Sequence, residues 1–324
     1  MSGTDRLPAG SDLRLPAGTD RLPAGSELRL PAGSELRLPA GSELRLPADD
    51  HTHTEWSWDA HAGSMLGSCA RAVELGLPSI AFTEHVDAVR WQIPGPLRPT
   101  LQAEGHHLDD FGGFSPPPLD VEGYLEEIAR CRARFPELTI LTGIELGEPH
   151  WQPDRVRQLL AAGDFQRVLG SLHTVPFDGQ HWMVEHLMGP DAPDGLDQLS
   201  VLRLYLDGVE QLIAGLPDEV QVLAHLDYPV RAWRGRFDPR DVEEQLRSVL
   251  DALAASDRAL EINTRVPLAS EIVRWWRAAG GRAVSFASDA HRPEAVAAGF
   301  ADAAALAACE GFAPGAHPLG FWHR

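Results

Sequence analysis

The sequence predicts an α/β protein built on a parallel sheet, open or closed into a barrel. Two observations carry this expectation. Short β-rich runs alternate with segments of helical periodicity from residue 79 onward, the pattern of repeated βαβ units. Each run also begins apolar and ends on a residue able to ligate a metal, and the carboxyl ends of parallel strands form the active-site face of such folds.

In chain order, residues 3–48 come first: GTDRLPA, GSDLRLPA, GTDRLPA, then three copies of GSELRLPA. Every unit carries a proline and sets one acid against one arginine, so neither a helix nor a central strand is expected. The unit is also shorter than known solenoid repeats, which run to about 20 residues or more. Residues 1–48 are therefore expected to be a disordered, low-complexity tail, and residues 49–324 a single folded domain with a sizeable core.

The next stretch is DDHTHTEWSWDAH, residues 49–61. It reads as the first strand, with His51 and His53 on one face because alternate strand residues point the same way. That strand draws on LRLPADD, so the last repeat enters the first element. The later strands are SIAFTEH (79–85), TILTGIELG (139–147), RVLGSLHTV (167–175), VQVLAHLDYP (220–229), ALEINTR (259–265) and AVSFASDAH (283–291). Helical patterning falls near 63–76, 120–134, 153–163, 201–215, 239–255, 269–279 and 293–309. Two polar stretches rich in Pro and Gly, 88–119 and 176–199, interrupt the alternation and are expected to lie as lids over a site.

Composition narrows the partners. The formal charge is −19, and because the repeat tail is neutral the excess acid lies in residues 49–324. Such a chain repels long nucleic acid rather than neutralising it, but metal ions could invert the local field and admit a small anion. All 28 basic residues are Arg, which fits biased codon usage and also suits bidentate recognition of phosphate. Cys69, Cys131 and Cys309 form neither a CxxC motif nor a secreted disulfide pattern, so a reducing cytoplasm is expected. Membrane insertion and export are not expected, since long apolar runs and a signal-peptide layout are both missing.

The strand-end residues are His85, Glu145, His173, His225, Asp289 and His291. A lone histidine is ordinarily a core or surface residue; a shared position at five strand ends calls for another explanation. Several His with Asp and Glu and no Cys suit Zn, Mn or Fe(II) with open positions, not a closed structural zinc site. A carboxylate between two ions roughly 3.5–4 Å apart lets them clamp the attacking and leaving oxygens of a phosphoryl transfer. Multinuclear hydrolysis is thus favoured over redox chemistry.

The ordered motifs HTH (51–53), FTEH (82–85), GIELGE (143–148), GSLH (170–173), AHLDYP (224–229), LEINT (260–264) and SDAH (288–291) resemble those of the PHP (polymerase and histidinol phosphatase) family. The likeness is strongest to its histidinol-phosphatase branch and covers about residues 49–295. It implies a distorted (β/α)7 TIM-like barrel with a trinuclear metal centre at the strand carboxyl ends. Carried over by motif, it places His51, His53, Glu145 and Asp289 on one metal, with Glu145 bridging to a second held by His173 and His225. The third would take His85, His291 and a residue of the opening stretch. The family position falls on Asp59, and His61, two residues on, is the alternative. The resemblance further implies two or three divalent ions, Zn, Mn or Fe, and hydrolysis of histidinol phosphate to histidinol and phosphate late in histidine biosynthesis. Glu145, Asp289 and His291 would then stand at the reacting centre.

Arg231, Arg265 and Arg292 follow these strand ends, and Arg231 and Arg265 are the foremost candidates to bind the phosphate of a small metabolite. Glu84 and Asp227 neighbour proposed ligands and could set histidine tautomers. Trp56 and Trp58 are expected to pack, or else to wall the site; Trp275 and Trp276 are expected in core and flank. His106, His107, His181 and His186 lie in the polar stretches, solvent-exposed or reaching substrate through a closing loop. Two rival functions remain: the same metal site acting on nucleotides or short oligonucleotides, and a non-catalytic metal-binding scaffold with an interaction tail. The sequence carries no marker of oligomeric state.

Overall fold

Seven strands run parallel and pair in chain order: β1 (Asp49–Thr52), β2 (Ser79–Asp87), β3 (Thr139–Gly147), β4 (Arg167–Ser171), β5 (Val222–Leu223), β6 (Ala259–Asn263) and β7 (Ala283–Ala287). This architecture comes from a computed structural model that describes residues 46–190, 192, 196–315, 317 and 320–324. The repeat tail up to residue 45, and with it the expectation of disorder there, lies outside the described residues. Leu46 packs against the core and Ala48 is buried. β1 itself starts at Asp49.

A helix follows each strand: α1 (Met65–Leu75), α2 (Val121–Arg134), α3 (Pro153–Leu160), α4 (Gln198–Gly215), α5 (Glu243–Ala255), α6 (Ser270–Ala278) and α7 (Phe300–Cys309). The side chains of Ser64, Asp120 and Asp197 accept backbone N–H bonds at the starts of α1, α2 and α4, satisfying donors that a helix leaves unpaired. β3 is buried along nearly its whole length, as a parallel strand must be when side chains fill one face and helices cover the other. Trp275 and Trp276 of α6 are both buried, so neither lies on the flank.

The sheet curls until its first strand meets the segment after its last. Thr52 bridges Ala290 in parallel, Asp289 N donates to His51 O (2.9 Å) and His53 N donates to Ala290 O (2.8 Å). At the opposite end the antiparallel pieces Ala313–Pro314 and Trp322–His323 add to β7. The expected distorted (β/α)7 barrel is the fold observed. Asp49 fastens the seam: its carboxylate accepts from Ser288 N (3.0 Å), Ser288 Oγ (2.6 Å) and Ala297 N (3.0 Å).

Several elements are shorter than the sequence patterning. The run 167–175 breaks because Glu148 accepts from both His173 N (2.6 Å) and Thr174 N (2.7 Å), diverting the chain out of the sheet. In 220–229 only Val222–Leu223 is strand, since His225 N donates to Glu261 Oε1 (3.0 Å) instead of to a ladder partner. α7 starts later than its periodicity because Ala297 and Gly299 adopt left-handed φ values of 53° and 76°, and Ala297 N is held by Asp49.

The two polar stretches combine into one small roof. Trp91–Gln92, Gly113–Phe114, Gln180–Met183 and Thr174–Phe177 form a four-stranded sheet, in which Gln92 pairs with Trp182 across the two stretches. Trp91, Ile93, Leu108 and Phe114 make its own apolar core, against which Trp58 and Met183 pack.

Replacing Asp49 by Ala leaves buried N–H and O–H groups unpaired on the far side of the seam. Asp49→Ala is expected to lose roughly 2–4 kcal/mol of stability in denaturant unfolding, with Asp49→Asn losing less. Equal stability of Asp49→Ala and the parent would contradict a fastening role.

Candidate metal centre

Glu145 reaches the carboxyl end of β3, opposite His85 of β2 in the ladder, and is wholly buried. Five imidazoles surround its carboxylate. Oε2 lies 3.2 Å from His51 Nε2, 3.4 Å from His53 Nε2 and 3.0 Å from His85 Nδ1. Oε1 lies 3.2 Å from His173 Nε2 and 2.7 Å from His225 Nε2. Beside this group, Asp289 Oδ1 is 3.4 Å from His53 Nε2. Asp59 Oδ2 is 3.3 Å from His291 Nε2 and 3.4 Å from His85 Nε2. All nine sequence-derived metal candidates therefore converge on one rim.

His61 stands apart. It is exposed, and its ligand atoms gather with those of Glu104 and His106. His181 packs against Trp151 with ring centroids 4.6 Å apart, and His107 is exposed.

The outer nitrogens of three of the histidines are held by partners that the motifs did not point to. His51 Nδ1 donates to Glu261 Oε2 (2.8 Å), and His173 Nδ1 donates to Asp87 Oδ1 (2.9 Å). His53 Nδ1 meets Ser57 Oγ (3.0 Å), which itself donates to Glu84 Oε2 (2.5 Å). Glu84 thus acts through Ser57 and Thr54, whose hydroxyl it binds at 2.6 Å. Asp227 is buried, and burial pushes its pKa up to about 7 against the pull of Arg231; it does not hold its neighbour His225, whose Nδ1 has no hydrogen-bond partner among the described residues. A signal for these partners was present: Glu261 and Asn263, like His85 and Asp87, alternate on one strand face. Gly147 admits Asp87, because a Cβ at that position would collide with the Asp87 carboxylate.

The donor set fits metal ions on two counts. Acceptors fix the protons of His51, His53 and His173 on Nδ1, so each Nε2 points a lone pair inward. His51 Nε2 and His53 Nε2 then sit 2.9 Å apart, facing carboxylate oxygens, which repels unless a cation lies between. In addition, Asp59 Oδ1 is buried without a hydrogen-bond partner among the described residues. Four overlapping groups drawn from these nine residues bring three ligand atoms within 4.8 Å of one another, the compact His and carboxylate arrangement of Zn, Mn or Fe sites. Asp289 has a left-handed φ of 51°, a conformation that costs a non-glycine residue energy and recurs at functional sites.

Burial opposes a charged Glu145, yet His51, His173, His85 and His225 outweigh it and hold its pKa well below the usual range. Burial likewise opposes a charged His173, but Glu145 and Asp87 raise its pKa to about 10. His51 and His85 are raised well above the ordinary imidazole value against burial, by Glu261 and Glu145 for the first and by Asp59 and Glu145 for the second.

Both candidate arginines face Asp289. Arg231 Nη2 donates to Asp289 Oδ2, and its guanidinium lies 4.8 Å from the Tyr228 ring centroid. Arg265 Nη1 is 3.5 Å from Asp289 Oδ1 and 3.2 Å from His291 Nδ1. Arg292 is exposed. Trp58 walls the rim, with its Nε1 donating to Asp87 Oδ2 (2.9 Å) and its ring 6.2 Å from His85.

A curled seven-stranded βα sheet with histidines and carboxylates on its carboxyl rim defines a metal-dependent hydrolase. A family model, the PHP domain, matches residues 49–265, and the chain belongs to the PHP family. It is similar to the histidinol-phosphatase of Lactococcus lactis, with 26% identity over 260 residues, covering 75% of this chain and 83% of that protein. It is also similar to a probable histidinol-phosphatase of Deinococcus radiodurans, with 28% identity, covering 79% of this chain and 90% of that one. Among solved structures, the Lactococcus lactis histidinol phosphate phosphatase, complexed with zinc, L-histidinol and phosphate, shares the fold. It has a TM-score of 0.65 and 22% identity, covering 83% of this chain and 95% of that one. The putative histidinol phosphatase of Listeria monocytogenes shares it with a TM-score of 0.59 and 18% identity, covering 79% of this chain and 99% of that one.

Metal uptake must displace the protons on His51, His85 and His173. Apparent affinity should therefore rise with pH until His173 is neutral near pH 10, by about tenfold per unit for each proton released. Calorimetry of reloading in buffers of different ionisation enthalpy reads this release, and pH-independent uptake would refute it. Glu145→Gln should lower the metal count measured by elemental analysis, and Glu261→Gln should weaken affinity by about 10–100-fold.

Proposed function

We propose that the chain hydrolyses a small phosphate monoester, foremost histidinol phosphate, to the free alcohol and inorganic phosphate, using two or three divalent ions of Zn, Mn or Fe type. The observation that carries this reading is the division of Glu145: one oxygen serves His51, His53 and His85, and the other serves His173 and His225. A carboxylate so divided suits a bridge between adjacent ions. Such ions, when bound, supply Lewis-acid stabilisation of the charge that develops in phosphoryl transfer.

The roles left to the chain follow from geometry. Asp59, His85 and His291 would form the outer corner, and His173 with His225 the inner one. Arg231 and Arg265 both pair with Asp289 at the rim. Their guanidinium groups would offer charge-assisted donors to a phosphate bound there. Glu261, Ser57 and Asp87 keep the imidazoles in register, and the roof limits entry of water.

Two further supports are independent of the rim. The curated relatives of known name are histidinol phosphatases across most of their length, and the Lactococcus lactis structure holds histidinol and phosphate. A cytoplasmic setting suits the free thiols of Cys69, Cys131 and Cys309. The described residues contain no helix long and apolar enough to cross a membrane.

The metal-replete protein should turn over histidinol phosphate faster than nucleoside bisphosphates or an aryl phosphate. Arg231→Ala and Arg265→Ala should each lower kcat/KM by about 10–100-fold, the worth of one hydrogen bond to a charged group. Preference for the nucleotides would move the chain to another branch of the family, and failure to hydrolyse any monoester would leave the scaffold reading.

A further inference from the structure

Among the described residues, one group of potential ligands lies apart from Glu145 and its neighbours: His61, Glu104 and His106, whose ligand atoms all fall within 4.8 Å of one another. The three come from opposite sides of a gap. His61 belongs to the turn that carries Asp59. Glu104 and His106 belong to the roof, just past a short helix, Arg98–Ala103.

Local structure builds this grouping. Gly105 takes a left-handed φ of 90°, and His106 N donates back to Leu101 O (3.0 Å) while Gly105 N donates to Gln102 O (3.1 Å). This is the Schellman closure of a helix, and it brings the residues on either side of the glycine round to one side of the chain. The ring of His106 is then fixed edge-on between Trp58, at 5.9 Å and 76°, and Phe114, at 5.1 Å and 71°. Across the gap the His61 ring is 5.6 Å away and tilted by 36°. Burial, reinforced by His61, lowers the pKa of His106, which favours the neutral ring.

We propose that His61, Glu104 and His106 form a second, exchangeable binding site for a divalent cation of the zinc class, separate from the buried centre, which ties the roof to the Asp59 turn. Two imidazoles and one carboxylate are the donors that zinc accepts in sites that keep an open position. Exposure of His61 and Glu104 gives this site direct exchange with solvent, unlike the buried rim. An ion bound here braces Trp58, and Trp58 hydrogen-bonds Asp87, the partner of His173. The roof would accordingly be held down over the rim when free zinc is plentiful, whatever substrate the rim serves.

The test uses the full chain with its buried centre already loaded, titrated with zinc chloride and separately with nickel chloride by equilibrium dialysis. The parent should take up one ion per chain more than His61→Ala or His106→Ala, and Glu104→Gln should weaken that uptake by at least about tenfold, the least expected for losing a direct ligand. Added zinc should also slow amide exchange across residues 98–114 in the parent and leave it unchanged in His61→Ala. The metal count of the loaded centre in each variant reports that the fold is intact. Equal uptake by the parent and both histidine variants, or exchange in 98–114 that ignores added zinc, would overturn the proposal. Neither readout depends on turnover, so failure of the phosphatase reading would leave this one standing.

Discussion

The structure is organised around one negative charge that has no water. Glu145 is fully buried, and an ionised carboxylate in such a place is sustained only by positive charge brought to it. Five imidazoles supply contact, but an imidazole can be a cation or a lone-pair donor and not both at once. Behind His51, His53 and His173, acceptors keep the proton on the outer nitrogen, so their inner nitrogens present lone pairs and the demand for positive charge passes to ions. The fold's other costly features are arranged to satisfy that demand: the left-handed backbone at Asp289 and the interrupted ladder at His225.

The strands act as spacers in this arrangement. Period-two alternation sends His51 and His53 inward from β1, and His85 with Asp87 inward from β2. Parallel register sets His85 opposite Glu145, so neighbouring strands deliver their ligands at one height. Where a ladder would have carried a ligand past the site, a buried carboxylate takes the backbone N–H instead. Glu148 does this at His173 and Glu261 at His225, and each broken strand gains in placement what it loses in pairing.

Much of this was legible in the residues. Alternating β and helical patterning reached the parallel strands and every main helix, because strands buried on both faces are continuous apolar runs and their helices keep a clear polar side; closure into a seven-stranded barrel came from the family resemblance. Six of the nine ligand candidates were legible because they close apolar runs, His51 and His53 because they alternate on one strand, and Asp59 only through the family resemblance. Other parts were hidden. Glu148 gave no sign of its role, since only the three-dimensional path shows that it accepts the backbone protons of His173 and Thr174. The union of 88–119 with 176–199 was out of reach for the same reason: a two-residue strand such as Trp91–Gln92 leaves no periodicity to read. His61 was conspicuous by its nearness to HTH, but nearness in sequence does not tell which side of a turn a ring leaves from.

The seam fastened by Asp49 joins residues 239 and 248 positions apart in the chain. A growing chain released from its N-terminus therefore owns His51 and His53 long before it owns Asp289 and His291. Four of the nine ligand candidates, His51, His53, Asp59 and His85, lie within the first 85 residues, Glu145 comes next, and Asp289 and His291 come last. Closure of the seam and completion of the ligand rim therefore both wait for the last strand to be made.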